Sequence, residues 1–318
     1  MKQTFRFEEK NHVTTGFSFS RDEVTGTNIV GRPVRDNLSF FIQNQIKFPS
    51  VPAFFEYATL YPALRVDYFS KFGSEVSPKL GLLLGDLLMS NLNLKANVGR
   101  SFRVPSFNSL FFVSSVQVRS NPDLSPERAF EFDLGLNFRM PESKWGVPEF
   151  AFAYYRRNVD GSILWLPDFR FIWRPRNISR VIAQGVEATA SWQSADEKVR
   201  LNFNYTFTDA RFDLPGNSNP VPYRPEHQLN LEVGVNLAGI EVNAHQHWVS
   251  KRFPNVAGTN AIPGYALTDI NFSTRMEVGK FKLAPKFVIT NLFAEDYQVV
   301  SNFPMPGREF RISLVTNY

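Results

Sequence analysis

From Ala129 to Phe138 apolar and polar side chains alternate without a break: Phe130, Phe132, Leu134, Leu136 and Phe138 against Glu131, Asp133, Gly135 and Asn137. A period of two sends successive side chains to opposite faces of an extended strand. The same pattern sets Leu201, Phe203, Tyr205 and Phe207 against Asn202, Asn204, Thr206 and Thr208. It sets Leu229, Leu231, Val233, Val235 and Leu237 against Asn230, Glu232, Gly234 and Asn236, and Phe310, Ile312, Leu314 and Tyr318 against Glu309, Arg311, Ser313 and Asn317. Segments of about ten residues closed by turn residues have the length a tilted strand needs to cross a bilayer, whereas soluble sandwich strands run about 5 to 6. None of these apolar faces carries Lys or Arg, which would cost about 2 to 4 kcal/mol at the bilayer midplane.

Composition agrees with a spanning sheet and disfavours other classes. The 318 residues have a mean hydropathy of -0.22 and contain no run of about 18 to 20 apolar residues, so no helix spans a membrane. Alternating strands average to such a bland value. The 15% aromatic content, with 32 Phe, needs an apolar neighbour. The absence of cysteine removes thiolate metal sites, catalytic thiols and disulfides together. A net charge of +5 scattered among acids offers no basic face for nucleic acid. Arg6, Glu8, Glu9 and Lys10 stand where a signal peptide would be apolar. The expectation is that a signal has been removed or that the chain begins inside a longer protein.

Connectors alternate in length. Short ones fall near 140–145, 194–197, 238–239 and 277–280, and long ones near 103–127, 165–177, 210–224, 252–263 and 294–307. Outer-membrane barrels pair short periplasmic turns with long extracellular loops, which predicts that the long set faces outward. Further strands are predicted near 2–8, 12–22, 36–48, 56–69, 75–86 and 90–102, with a short outer connector at 70–74. The total is about fifteen strands, an odd number, where bacterial single-chain barrels have even ones. The fold class expected is therefore all-β, a transmembrane antiparallel β-barrel that is incomplete at its N-terminal side, spanning 1–318 as one domain.

Short phrases in order carry a resemblance. They are Leu64-Arg65-Val66-Asp67-Tyr68, Val76-Ser77-Pro78-Lys79-Leu80, Ser101-Phe102-Arg103-Val104-Pro105-Ser106-Phe107-Asn108 and Asn121-Pro122-Asp123-Leu124-Ser125-Pro126-Glu127. Gln184-Gly185-Val186-Glu187, Pro225-Glu226-His227-Gln228-Leu229-Asn230, Asn291-Leu292-Phe293 through Tyr297, and Pro306-Gly307-Arg308-Glu309-Phe310 follow. Their order over about 250 residues resembles the barrel of the TonB-dependent receptors. The resemblance implies a 22-stranded barrel preceded by a plug and an energy-coupling box, of which this chain matches roughly the last fifteen strands. It implies a bacterial outer-membrane location, coupling to TonB only through the plug, and a chain that alone is not a competent transporter.

Several residues invite a chemical reading. Trp165, Phe169, Phe171 and Trp173 interleave with Arg170, Arg174 and Arg176 in one long loop, offering charge, hydrogen bonds and π faces to an anionic aromatic ligand. The alternative there is an aromatic girdle whose Arg contact lipopolysaccharide phosphates. Arg211, Tyr223 and Arg224 are weaker candidates of the same kind. His245 and His247 share a face with Glu241 and Asn243, as a metal pair, a proton-sensitive pair or a hydrated lumen wall. No residues are spaced as a catalytic set, so no enzyme is expected. No cofactor is expected either, and the span from Phe102 to Leu124 holds no His to ligate haem. Phe310, Ile312, Leu314 and Tyr318 resemble the terminal signal read by the barrel-insertion machinery. The function expected is import of a ferric siderophore or similar metal chelate through a barrel in contact with outer-membrane lipid and lipopolysaccharide. The alternatives are a cobalamin or other chelate cargo, a passive porin, or a remnant of a receptor gene.

Overall fold

The computed structural model describes residues 2–7, 11–50, 54–113, 117–178, 180–213, 216 and 218–317. In chain order its strands are β1 (Lys2–Phe7), β2 (Asn11–Glu23), β3 (Val34–Phe48), β4 (Tyr57–Phe69), β5 (Gly73–Gly85), β6 (Leu92–Arg103), β7 (Glu127–Arg139) and β8 (Val147–Asp160). They continue with β9 (Ile163–Pro167), β10 (Trp173–Asn177), β11 (Arg180–Gln193), β12 (Val199–Phe212), β13 (His227–Leu237), β14 (Ile240–Val249) and β15 (Tyr265–Thr274). The last are β16 (Met276–Val278), β17 (Phe281–Thr290), β18 (Gln298–Val300), β19 (Phe303–Pro304) and β20 (Glu309–Asn317), and a short helix α1 (Phe107–Phe111) lies in the connector after β6. The main antiparallel sheet holds 16 of these strand elements in chain order. Because β16 continues β15 past Arg275, they make fifteen crossings, the number the alternation predicts. Among the described residues β1 pairs with β2 alone and β20 with β17 alone, so the sheet has an unpaired edge at each.

The chain divides into two units, one of residues 1–134, 155–183 and 212–218, the other of 135–154, 184–211 and 219–318. In the first, register aligns side chains of like character. Phe17 lies opposite Phe40, Phe40 opposite Val66 and Val66 opposite Val76, forming an apolar row across four strands. Phe17, Phe40 and Val76 are about half exposed, at 50%, 48% and 53%. A band of that kind is unfavourable in water by about 25 cal/mol per Å² and at home in hydrocarbon. On the opposite face Ser18, Ser39, Asp67 and Glu75 form the adjacent row, with the two Ser hydroxyls 2.6 Å apart. Asp67 and Glu75 are directly opposed like charges, which repel. Arg65 bonds both Asp67 oxygens at 2.7 Å, and Arg128 bonds both oxygens of Glu75, so each carboxylate has its own cation.

In the second unit one apolar row runs Leu201, Val233, Ala244, Ile270, Ile289, Phe310. The next runs Val199, Val235, Val242, Phe272, Phe287, Ile312. Gln246 and Thr268 interrupt this face, and their side chains hydrogen-bond each other, which lowers the cost of placing them there. The β13–β14 turn has only Ala238 and Gly239 between the strands, with φ 51° and 87°. Left-handed values at both positions are those of the type I′ turn, whose twist matches a two-residue hairpin. The Asn236 side chain accepts the Gly239 N–H at 3.1 Å.

The structure amends some boundaries. The connector expected as a loop over 165–177 is largely a hairpin, β9 paired with β10, because Ile163 to Asn177 satisfy each other's backbone groups. Arg211, expected on a loop, lies inside β12. β16 extends its strand to Val278, leaving the turn at 279–280. Tyr318 lies outside the described residues.

Candidate functional site

In the first unit, Trp165, Phe169, Arg170, Trp173 and Arg174 meet on the β9–β10 hairpin. Trp165 pairs with Pro175, Leu166 with Arg174 and Pro167 with Trp173, so Trp165 and Trp173 share one face and Arg174 lies on the other. At the tip, Asp168 accepts the N–H of Arg170 at 2.8 Å and of Ile172 at 3.0 Å. That turn leaves Phe171 with φ 60° and pushes Phe169 and Phe171 out to 86% and 79% exposure. The Arg170 guanidinium sits 5.1 Å over the Phe169 ring, a cation–π contact that orients the charge without neutralising it. Arg174 approaches Asp168 at 3.9 Å. The hairpin thus presents two phenyl rings, an indole and a guanidinium to solvent.

The Ile172 N–H above all, then the Arg170 N–H and the charges of Arg174 and Arg176, hold the Asp168 carboxyl below the ordinary carboxylate range. A depressed folded-state pKa contributes stability that is complete above the unfolded value of about 4 and is lost as pH falls through the folded value. Proteolytic nicking at 168–172 is expected to accelerate as pH falls below about 4, and Asp168→Ala to nick as fast at neutral pH. A cleavage rate unchanged by pH and by the substitution would refute this role.

The hairpin is tied down by its neighbours. Backbone bonds join Trp173 to Gln117 and Arg119. Asn121 donates to the Pro175 carbonyl at 3.0 Å, and the Asn177 side chain exchanges bonds with Ser125 at 2.9 and 3.0 Å. Glu127, 5% exposed, accepts the Ile163 N–H at 2.7 Å and pairs with Arg103. The Pro105 carbonyl accepts from Arg35, whose guanidinium lies 4.6 Å over Phe107. Ser106 caps α1 by accepting from the Ser109 N–H.

The second unit holds the remaining candidates. Arg211 pairs with Asp209 and, at 3.2 Å, with Glu226, so its charge is already matched. Tyr223, with φ 58°, donates its N–H to Phe253, and Arg224 is exposed. His245 and His247 lie on the polar face, their rings 6.4 Å apart and nearly parallel at 13°. Glu232 and Asp269 stand opposite His245 on the flanking strands, and Asn230 bonds His247 at 2.7 Å. Among the described residues no group of three or more His, Asp or Glu side chains has the geometry to hold a metal. His227 belongs to the apolar face instead. It bonds the Tyr205 hydroxyl at 2.8 Å, stacks with Trp248 and packs at a tilt on Phe207, an aromatic cluster of the kind found at membrane interfaces.

Residues 3–292 match the family described as "TonB dependent receptor-like, beta-barrel". The chain belongs to the TonB-dependent receptor β-barrel family. It is 22% identical over 300 residues to the vitamin B12 transporter BtuB of Photobacterium profundum, covering 93% of this chain and 45% of that protein. A second BtuB, of Vibrio vulnificus, is 28% identical over 137 residues, 43% of this chain and 21% of the other. Among solved structures, the siderophore receptor PirA of Pseudomonas aeruginosa aligns with a TM-score of 0.74 at 16% identity, over 100% of this chain and 54% of that one. The FrpB iron transporter of Neisseria meningitidis aligns at 0.73 and 13% identity, over 98% and 53%. These likenesses establish the fold, and the chain spans about half the length of the relatives it matches. The members are outer-membrane receptors and transporters.

Within this TonB-dependent receptor barrel, two of the phrases that carried the resemblance hold structure together. Phe102 to Asn108 and Asn121 to Glu127 fasten the long connectors to strand ends and to the β9–β10 hairpin. Glu127 and Asn121 belong to a recognisable pattern in the chain, but nothing near them announces that they anchor the hairpin. Their partners lie 36 and 54 residues away, beyond any local period.

Proposed function

We propose that this chain supplies barrel wall and outer loops to an outer-membrane receptor for energy-coupled uptake of a ferric siderophore. The β9–β10 hairpin carries the reading. Exposed Phe169, Phe171 and Trp173 beside Arg170 offer a π surface and an unneutralised cation to a ligand that is anionic and aromatic. Burying such rings on a ligand is favourable, whereas leaving them in water is not. Siderophore receptors are also among the chain's structural neighbours. Arg211, Tyr223 and Arg224 are assigned a secondary part, and His245 and His247 the hydrated lumen wall. On this reading the apolar rows face lipid, outward Arg side chains reach lipopolysaccharide, TonB acts through a plug, and the terminal strand with Phe310, Ile312 and Leu314 is read by the insertion machinery.

The test uses the receptor that contains this chain, in cells whose outer membrane holds no other iron receptor. Arg170→Ala with Arg174→Ala should weaken ferric-siderophore binding by on the order of tenfold, consistent with losing charge-assisted contacts, chiefly that of Arg170. The loss should be larger at low ionic strength, where charge attraction is least screened. Unchanged affinity at low salt would leave these arginines only a lipopolysaccharide contact. The similarity to BtuB favours a second reading, cobalamin as cargo. Saturable cobalamin uptake without siderophore uptake would select it.

A further inference from the structure

Arg252 differs from the arginines that pair with this chain's buried carboxylates. It is 3% exposed, and its backbone is fixed by reciprocal bonds with Ile262 at 3.2 and 2.8 Å. Its Nε donates to the Val299 carbonyl at 3.2 Å and its Nη2 to the Gln298 carbonyl. Both acceptors are neutral. Among the described residues Nη1 is buried with no hydrogen-bond partner. Among the described residues no carboxylate lies in ion-pair range of Arg252, whereas Arg65, Arg103 and Arg128 each hold a buried one. A buried charge without a counter-charge, and a buried donor without an acceptor, are each costly.

The surroundings are a file of rings on the polar face. The guanidinium lies 5.4 Å over Tyr265. Tyr265 is 4.7 Å from Tyr297 and 5.9 Å from His247, which in turn stacks on His245 at 6.4 Å. These four rings are half-buried, open to solvent on one side. The nearest acid on the same strand face, Asp269, is turned to the Asn291 N–H at 2.8 Å.

We propose that Arg252, Tyr265, Tyr297 and His247 form a binding subsite for an anionic aromatic oxygen, a carboxylate or phenolate on a ring. The anion takes Nη1, supplying both the missing acceptor and the missing charge. Its ring lies along Tyr265 and Tyr297, and either phenol or the His247 imidazole completes the contact. An anion adds charge–charge attraction that the neutral carbonyls bonded to Arg252 do not supply, so it competes well even if the β18–β19 hairpin must shift. This deepens the siderophore reading and rests on it for the natural ligand. It adds a second station for the cargo, at the connectors that follow β14 and β17.

The experiment is salicylate binding to the detergent-solubilised receptor containing this chain, followed by calorimetry, with neutral salicylamide as the control. Saturable binding of salicylate but not salicylamide is expected. Arg252→Met should weaken it about tenfold or more, the loss of one charge-assisted contact, and Tyr297→Leu severalfold. Arg252→Met should weaken salicylate binding by the same factor in the Arg170→Ala, Arg174→Ala receptor, which tells this subsite from the hairpin. Heat-modifiable migration on gels reports folding. If Arg252→Met fails to fold, Tyr297→Leu and His247→Leu carry the test. Absence of salicylate binding to the parent, or equal affinity in the folded variants, would overturn the subsite. A receptor that binds salicylate through Arg252 yet imports no ferric siderophore would instead refute the cargo and leave the subsite standing.

Discussion

Val233→Arg is expected to abolish assembly of the barrel in the outer membrane, while Asn204→Arg assembles. Val233 lies near the middle of β13, in a cross-strand row with Leu201, Ala244, Ile270, Ile289 and Phe310. An arginine there meets hydrocarbon or apolar side chains in every direction, at a cost of about 2 to 4 kcal/mol at mid-depth. Leu231, opposite Phe203, should behave the same way. Asn204 is exposed on the polar face opposite Asn230, where water receives the charge. Asn230→Arg should fall between the two, since it also removes the acceptor for His247. Heat-modifiability and protease resistance in purified outer membranes read the outcome. Equal assembly of the 204 and 233 variants would refute the assignment of faces.

Glu127→Ala is expected to release the β9–β10 hairpin and with it the candidate ligand surface. The carboxylate is 5% exposed and holds both Arg103 and the Ile163 N–H. Breaking a buried pair costs about 3 to 5 kcal/mol, but the Arg103 side chain is 71% exposed and water screens much of its share, so about 2 to 3 kcal/mol is the fitting magnitude. Trp173 and Asn177 remain attached through Arg119 and Ser125, so the barrel should still assemble. The expected result is faster nicking between 163 and 177, together with at least about tenfold weaker siderophore binding, as a loosened site must be ordered on binding. Glu127→Gln keeps an acceptor for Ile163 and loses the charge, and should fall between. Parent-like protease resistance in Glu127→Ala would show that the other anchors suffice.

Strand positions and faces were legible because β geometry is local. Leu229 to Leu237 alternate residue by residue, and the pairing of β13 with β12 and β14 places Leu231 with Phe203 and Asn230 with His247 as that alternation requires. Connector lengths followed from the same reading, since turn residues must end each run. The β9–β10 hairpin was half legible. Its Trp and Arg content stood out, but Ile163, Pro167 and Pro175 do not announce a strand pair, and pairing arose where facing backbone groups could satisfy each other. Arg211 looked free in the chain and is neutralised by Asp209 and Glu226.

What the amino-acid order determined by itself is therefore the period, the two faces, the crossing length and the family, all properties carried by neighbours a few residues apart. What only the tertiary structure decided is which charges are matched. Arg103 finds Glu127 across 24 residues and Arg128 finds Glu75 across 53. Among the described residues the Arg252 guanidinium hydrogen-bonds the carbonyls of Gln298 and Val299, 46 and 47 residues on. The fate of a charge depends on what folding brings within about 4 Å of it and on how much water remains, and no local pattern in the chain encodes either.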